Sequence, residues 1–371
     1  MRHPCPVPPF RTKVAVAIPA RDEEERIAAC LNALDRQTVP PDTVVVLLNN
    51  CTDSSERLIR GLDLRYDCHV VVAHLPPRRA GAGPARRLAL DHAARRIGAG
   101  GVLMTTDADA MVPSTWVERN LAALAAGADA VCGRAVLSAE DAARIPCHLH
   151  ADDARERQLI ALLDMMAWLI DPDPADLPPR HTEASGASIA VRTASWRQAG
   201  GIPPIPIGED RGFIAALHRI DARIRHDPTI EVLVSGRTIG RAAGGMAETI
   251  RRRMVAQDEF SDDAVEPAED AFRRLRLRAR LRAAWASGGG DIGGVDAGRG
   301  DADLAQDLGL PVARLRRLLG QRFFGAVWQQ ASRMGPLAVR RRVRFAELSR
   351  EIADAERILA RLAPPDSLAA D

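Results

Sequence analysis

Val102-Leu103-Met104-Thr105-Thr106-Asp107-Ala108-Asp109 decides how the rest of this chain is read. Val102 to Thr106 reads as a buried strand, the fourth in the chain. Asp107 and Asp109 follow at i and i+2, so both carboxylates project from the strand's carboxyl end. A hard divalent cation beside a diphosphate takes oxygen ligands placed in this way, and Mg²⁺ or Mn²⁺ keeps several waters there. The plainer alternative is an acidic loop that merely solubilises the strand end, and the pair alone does not exclude it.

Working outward, strand and helix signals alternate. Val14 to Ile18 is a short β-branched run ended by Pro19 and the charged cluster RDEEER. A helix pattern runs from Glu23 to Gln37 with Ile27, Leu31 and Leu34 on one face, and Pro40-Pro41 stops it. Val44 to Leu48 is a second buried strand. A helix from Ser54 to Leu62, a strand from His69 to Ala73 and a helix from Ala85 to Ile97 complete the order β-α-β-α-β-α-β. That order predicts an α/β fold with a doubly wound, mostly parallel sheet and right-handed crossovers. Ligands in such sheets sit beyond the carboxyl ends of the strands. Four loops lie there: PARDEEE, NNCTD, RAGAGPARR and TDADA.

Composition sets the outer limits. The chain has 371 residues, 46% apolar and 27% charged, which are globular proportions. A helix pattern around Asp152 to Ile170 holds the most apolar segment, Leu159 to Ile170, which carries Asp164 and is too short to span a bilayer. The opening MRHPCPVPPF lacks a secretory h-region, so a cytoplasmic setting is expected. Net charge is +2, which gives no general attraction for nucleic acid. Six cysteines show no CxxC spacing, so a zinc ribbon is not expected and reduced thiols are. Beyond about residue 250 the sequence turns Arg/Ala-rich and helical, interrupted by the Gly-rich 287–301. The run FRRLRLRARLRAAW, Phe272 to Trp285, is either a peripheral membrane contact or, the favoured reading, a solvated face balanced by the acidic Asp258 to Asp270.

The motifs after the strands come in one order. Pro19-Ala20-Arg21-Asp22-Glu23, Asn49-Asn50-Cys51-Thr52-Asp53, Gly81-Ala82-Gly83-Pro84-Ala85-Arg86 and Asp107-Ala108-Asp109 are followed by Ser185-Gly186-Ala187-Ser188, Ala199-Gly200-Gly201 and Gly208-Glu209-Asp210. Together, over residues 14–245, this series resembles the family 2 glycosyltransferases. The resemblance implies a GT-A fold with a helical C-terminal region, a nucleotide-diphosphate sugar donor and a divalent metal, Mn²⁺ or Mg²⁺. It implies that Pro19, Arg21, Glu23, Asn49, Asp53, Arg86 and Asp107 face the nucleotide, and that Asp109, with Asp107, holds the metal. Asp210 becomes the expected general base of an inverting transfer, and Glu209 an acceptor contact.

Three positions depart from the family pattern. The first nucleotide-facing carboxylate falls on Leu48 or Asn49, the asparagine after the arginine is Arg87, and no histidine follows His226 to serve as a further metal ligand. The expected layout is an N-terminal extension (1–13), a nucleotide-sugar half (14–132), an acceptor half (133–250) and a helical region (251–371) that is dispensable for nucleotide binding. The expected activity is non-processive transfer of one sugar to a small-molecule or lipid-linked acceptor, with retaining transfer as a variant. A nucleotidyltransferase on a similar sheet would want a Gly-rich, basic first loop, and this one is acid-rich. A non-catalytic binding module is the third reading, and the intact Asp107, Asp109 and Asp210 count against it.

Overall fold

The computed structural model describes residues 12–237, 246–288 and 297–362. Most of the expected N-terminal extension and the centre of the Gly-rich 287–301 lie outside these residues. In chain order the first part comprises β1 (Val14–Ala20), α1 (Ile27–Asp35), β2 (Thr43–Asn49), α2 (Ser55–Arg60), β3 (Asp67–Ala73), α3 (Ala82–Ile97), β4 (Val102–Thr105), α4 (Trp116–Ala125) and β5 (Ala130–Leu137). There follow α5 (Ala139–Ala143), α6 (Cys147–Ile170), β6 (Ile189–Arg192), α7 (Thr193–Ala199), α8 (Glu209–His218) and β7 (Ile224–Val234).

The seven strands form one sheet in the order β3-β2-β1-β4-β6-β5-β7. β1 pairs in parallel with β2 and β4, and β2 with β3, as the βα alternation predicts. β6 runs antiparallel to both β4 and β5, while β7 returns parallel to β5. This mostly parallel sheet with flanking helices is the GT-A-type fold expected. β1 and β2 are buried along almost their whole length because helices cover both faces. The small buried residues Gly83, Ala85, Ala89 and Ala93 line the inward face of α3. α1 begins at Ile27 rather than Glu23. Asp22 has a left-handed φ of 52°, and a turn closed by Arg26 N–H donating to the Glu23 carbonyl fills the gap.

Two compact units divide the chain. The first holds the sheet: the described residues up to Ala139, with Glu183–Leu217 and those from Ala222 to Met246. Its core runs through Val16, Ile18, Val44, Val46 and Met104 to Trp116 and Val131.

The second unit joins Glu140–Thr182 and His218–Asp221 to the described residues from Ala247 onward. Its C-terminal helices are α9 (Met246–Val255), α10 (Ala268–Ala286), α11 (Ala297–Asp307), α12 (Val312–Leu319), α13 (Phe324–Ala331) and α14 (Leu348–Leu362). Leu159 and Met166 of α6 are buried with Ala268 of α10 and with Leu348, Ile352, Ala355 and Leu359 of α14. The spacing on α14 is that of a single apolar helix face. The far half of α10 carries a second core, where Leu281 meets Leu308, Leu315 and Phe324.

Arginines of the Phe272–Trp285 run are matched to carboxylates. Arg273 pairs with Asp270, Arg274 with Glu266, Arg280 with Asp307, and both Arg278 and Arg282 with Asp171. No helix among the described residues is long and apolar enough to cross a membrane.

The placement of α6 changes what truncation does. A chain ending at residue 255 would keep α6 but lose α10 and α14, exposing Leu159 and Met166. We predict that such a chain aggregates, whereas the full chain stays monodisperse by size-exclusion chromatography. A soluble truncated monomer with unchanged helical signal from α6 would contradict this packing.

Candidate active site

Arg86 lies on the first turns of α3, and its guanidinium is buried where β4 ends. Nη2 donates to Asp107 Oδ1 at 2.7 Å and Nε to Glu209 Oε1 at 3.0 Å. Nη1 donates to Thr105 Oγ1 at 2.8 Å and to the Gly186 carbonyl at 2.9 Å. Burial works against the charge, but the Asp107 and Glu209 carboxylates outweigh it and raise the arginine's pKa above its ordinary value. Gly186 is required by this arrangement: a Cβ there would stand 2.5 Å from Arg86 Cζ. Gly83 is required for a similar reason, since a Cβ would lie 2.0 Å from the Ile205 carbonyl oxygen.

Asp210 follows Glu209 at the start of α8. Its Oδ2 accepts from Gly186 N–H at 3.1 Å and its Oδ1 from Arg211 N–H at 2.7 Å. Glu209, the expected acceptor contact, is buried and paired with Arg86. One guanidinium therefore links the first carboxylate after β4 to the segment that carries Asp210.

The second carboxylate has a different partner. Met111 forms an antiparallel bridge to Leu233 of β7, which runs the strand's continuation back past Asp109. Arg237 in that continuation approaches Asp109 Oδ2 at 3.2 Å and forks onto Glu23, with Nη1 to Oε2 at 2.9 Å and Nη2 to Oε1 at 2.6 Å. Burial first, then the neighbouring carboxylates of Asp107 and Glu23, push the Asp109 pKa up to about 6 despite the opposing pull of Arg237. Sequence reasoning missed Arg237 because it follows no motif.

The nucleotide-side loops are laced together. Glu23 N–H donates to Ser55 Oγ and Glu24 N–H to Asp53 Oδ2, while Thr52 N–H donates to Asp22 Oδ1. Burial opposes ionisation of Asp53, but hydrogen bonds from Ser55 and Glu24 outweigh it and hold its pKa below the usual range. Asn49 is buried, and its Nδ2 donates to the Ala80 carbonyl at 2.9 Å. Its Oδ1 has no hydrogen-bond partner among the described residues. Pro19 sits half-buried within β1, and Arg21 is exposed just beyond it. Sequence-predicted residues thus form two clusters, Arg86–Asp107–Glu209 with Asp210 alongside, and Glu23–Asp109 bridged by Arg237.

Residues 15–167 match the family model described as glycosyl transferase family 2. Residues 15–167 therefore carry a family 2 glycosyltransferase domain. A comparison with curated proteins gave no significant match. Among solved structures, the chain is similar to S. aureus TarS 1-349 in complex with UDP-GlcNAc, at 15% identity over 86% of this chain and 90% of that one, with a TM-score of 0.46. It is also similar to the mannosyltransferase PcManGT from Pyrobaculum calidifontis in complex with GDP-Man and Mn²⁺, at 19% identity over 88% of each chain and a TM-score of 0.46. A third is glucosyl-3-phosphoglycerate synthase from Mycobacterium tuberculosis in complex with phosphoglyceric acid, at 17% identity over 69% of this chain and 83% of that one, TM-score 0.38.

Oxygen donors for a hard cation are present at Asp109 and at Asp107, whose Oδ1 is engaged by Arg86. Two carboxylates two residues apart at the end of β4 are the donor chemistry a hard cation takes. Among the described residues the one converging trio of potential metal ligands is elsewhere, at Asp22, Cys51 and Asp53. Its carboxylates already accept backbone N–H groups, so the trio has a structural explanation.

Gly186→Ala should displace Arg86 and cost about 1–3 kcal/mol of stability, as overpacking does; an unchanged melting temperature would contradict the close approach. Asp109 has a folded pKa above its unfolded value near 3.8. Its ionisation therefore opposes folding, and stability falls as pH rises from about 4 through about 6. Asp109→Asn should then be more stable than the parent at pH 7, by on the order of 2 kcal/mol, with the gap closing near pH 4. A variant less stable than the parent at pH 7 would contradict it.

Proposed function

We propose that this glycosyltransferase moves a single sugar from a nucleotide-diphosphate donor to a hydroxyl on a small-molecule or lipid-linked acceptor, with inversion at the anomeric carbon. The observation that carries this reading is the linkage of Asp107 through Arg86 and Glu209 to the helix start bearing Asp210. It puts a donor-side carboxylate and a candidate base in one fixed unit. Asp109 and the remaining oxygen of Asp107 would hold a divalent cation. When bound, that cation supplies charge stabilisation to the departing diphosphate. Glu209 acts through Arg86 rather than on the acceptor, because it is buried and paired with that side chain.

On the nucleotide side, Asn49 Oδ1 is a buried acceptor without a partner among the described residues. Leaving such a group unpaired costs about 1–3 kcal/mol, and an N–H of the donor base would satisfy it. Pro19 and Glu23 flank the same strand ends, while Asp53 stiffens the loop through Ser55 and Glu24. In the transfer, the acceptor hydroxyl attacks the anomeric carbon from the face opposite the diphosphate. Its proton passes to Asp210, and the bond from the anomeric carbon to the phosphate oxygen breaks.

A second reading has one observation in its favour. Both oxygens of Asp210 accept backbone N–H groups, which suits a residue that shapes the Gly186 loop. Retaining transfer would use the leaving phosphate as the proton acceptor and leave Asp210 in that role. Product anomer determination by NMR, together with the rate of Asp210→Asn, separates the two. Inversion with a loss of about 10²–10⁴-fold in transfer and unchanged donor binding is expected. Retention, or a variant within a few-fold of the parent, would overturn the assignment of Asp210 as base.

A further inference from the structure

The donor diphosphate needs positive charge beside Asp107 and Asp109, and the two nearby guanidinium groups differ sharply in what they can offer. Arg86 is 4% exposed and has four donor contacts already made within the protein. One N–H, the second on Nη2, is left uncommitted, in a side chain that is 5% exposed. The Arg237 side chain is 19% exposed and rests on Glu23 and Asp109, two residues at the carboxyl ends of neighbouring strands. Its planar fork matches phosphate oxygens as well as it matches Glu23. It also holds its positive charge against Asp109 Oδ2, one of the two oxygens of the carboxylate that a divalent ion would use.

We propose that Arg237 is the resident cation of the Asp109 site: it contacts the donor diphosphate in the absence of a divalent ion, and a divalent ion must displace it from Asp109 to bind. The inference rests on the donor reading above for its diphosphate half only. It gives Arg237 two effects of opposite sign. Removing the guanidinium takes away a diphosphate contact and at the same time frees the Asp109 carboxylate. A purely structural role for the Arg237–Glu23 pair would instead weaken both kinds of binding together.

The test uses the full chain stripped with EDTA and studied by isothermal titration calorimetry. Mn²⁺ alone should bind Arg237→Gln roughly fivefold tighter or more than it binds the parent, since a competing positive charge has left the site. UDP, GDP, ADP, CDP and dTDP, each titrated in EDTA, should include one that binds the parent and binds Arg237→Gln about tenfold more weakly or worse. Arg237→Lys, which keeps the charge without the fork, should fall between. Glu23→Gln combined with Arg237→Gln removes the orphaned carboxylate and carries the same expectations should the single variant melt too low to titrate. Unchanged or weaker Mn²⁺ binding in the charge-removed protein overturns the proposal, as does undiminished diphosphate binding in EDTA. If no nucleoside diphosphate binds the parent even with Mn²⁺, the donor reading fails, and the Mn²⁺ titration then decides the position of Arg237 on Asp109 by itself.

Discussion

Arg86 is a guanidinium with almost no access to water, and a buried charge of that size is tolerated only when paired and hydrogen-bonded. Its partners come from three separate stretches: Thr105 and Asp107 where β4 ends, Gly186 before β6, and Glu209 at the head of α8. Each had to be brought to within hydrogen-bond reach, so the position of each segment is constrained by the others. Gly186 lacks a side chain because the guanidinium fills that space. The glycosyltransferase domain is thus organised at its site by one satisfied buried cation. The fit among sheet, α3 and α8 serves to satisfy it.

Around that fixed point the charges are deliberately uneven. Arg86 neutralises Asp107 and Glu209 in a buried, geometrically rigid way. Glu23 and Asp109 have Arg237, which is nearer the surface and reaches Asp109 at a longer distance. Asp109 therefore remains an unfavourable carboxylate in the free protein, as its raised pKa reflects. Functional sites commonly hold such groups at a cost to stability, where ligand charge can relieve them. The second unit balances its own arginines with Glu266, Asp270, Asp171 and Asp307.

Much of this was legible in the residues. Continuous apolar runs at Val14, Val44 and Val102 can be buried only as central strands, and the motifs after them fall at the strand ends for the same reason. The grouping of residues 140–182 with the C-terminal helices was not legible. Leu159 and Met166 announce an apolar helix face, but nothing in their spacing says which helix will cover it. Glu209 read as an acceptor contact because an acidic pair at a helix start looks the same whether it faces a ligand or a buried arginine. Arg237 was hidden in a chain with 51 basic residues. The Met111–Leu233 bridge, a long-range pairing, brings its strand alongside Asp109.

The central claim is that Arg86 mechanically couples the strand end bearing Asp107 and Asp109 to the segments bearing Gly186 and Asp210. Amide hydrogen exchange on Arg86→Lys tests it most directly, because lysine keeps the charge but cannot satisfy four acceptors from one planar group. The account predicts that exchange accelerates together at Asp107 to Ala110, at Gly186 and over the first turn of α8, while β2 and α14 keep the protection of the parent. Acceleration confined to α3, with the Asp107 and Gly186 segments unchanged, would contradict it.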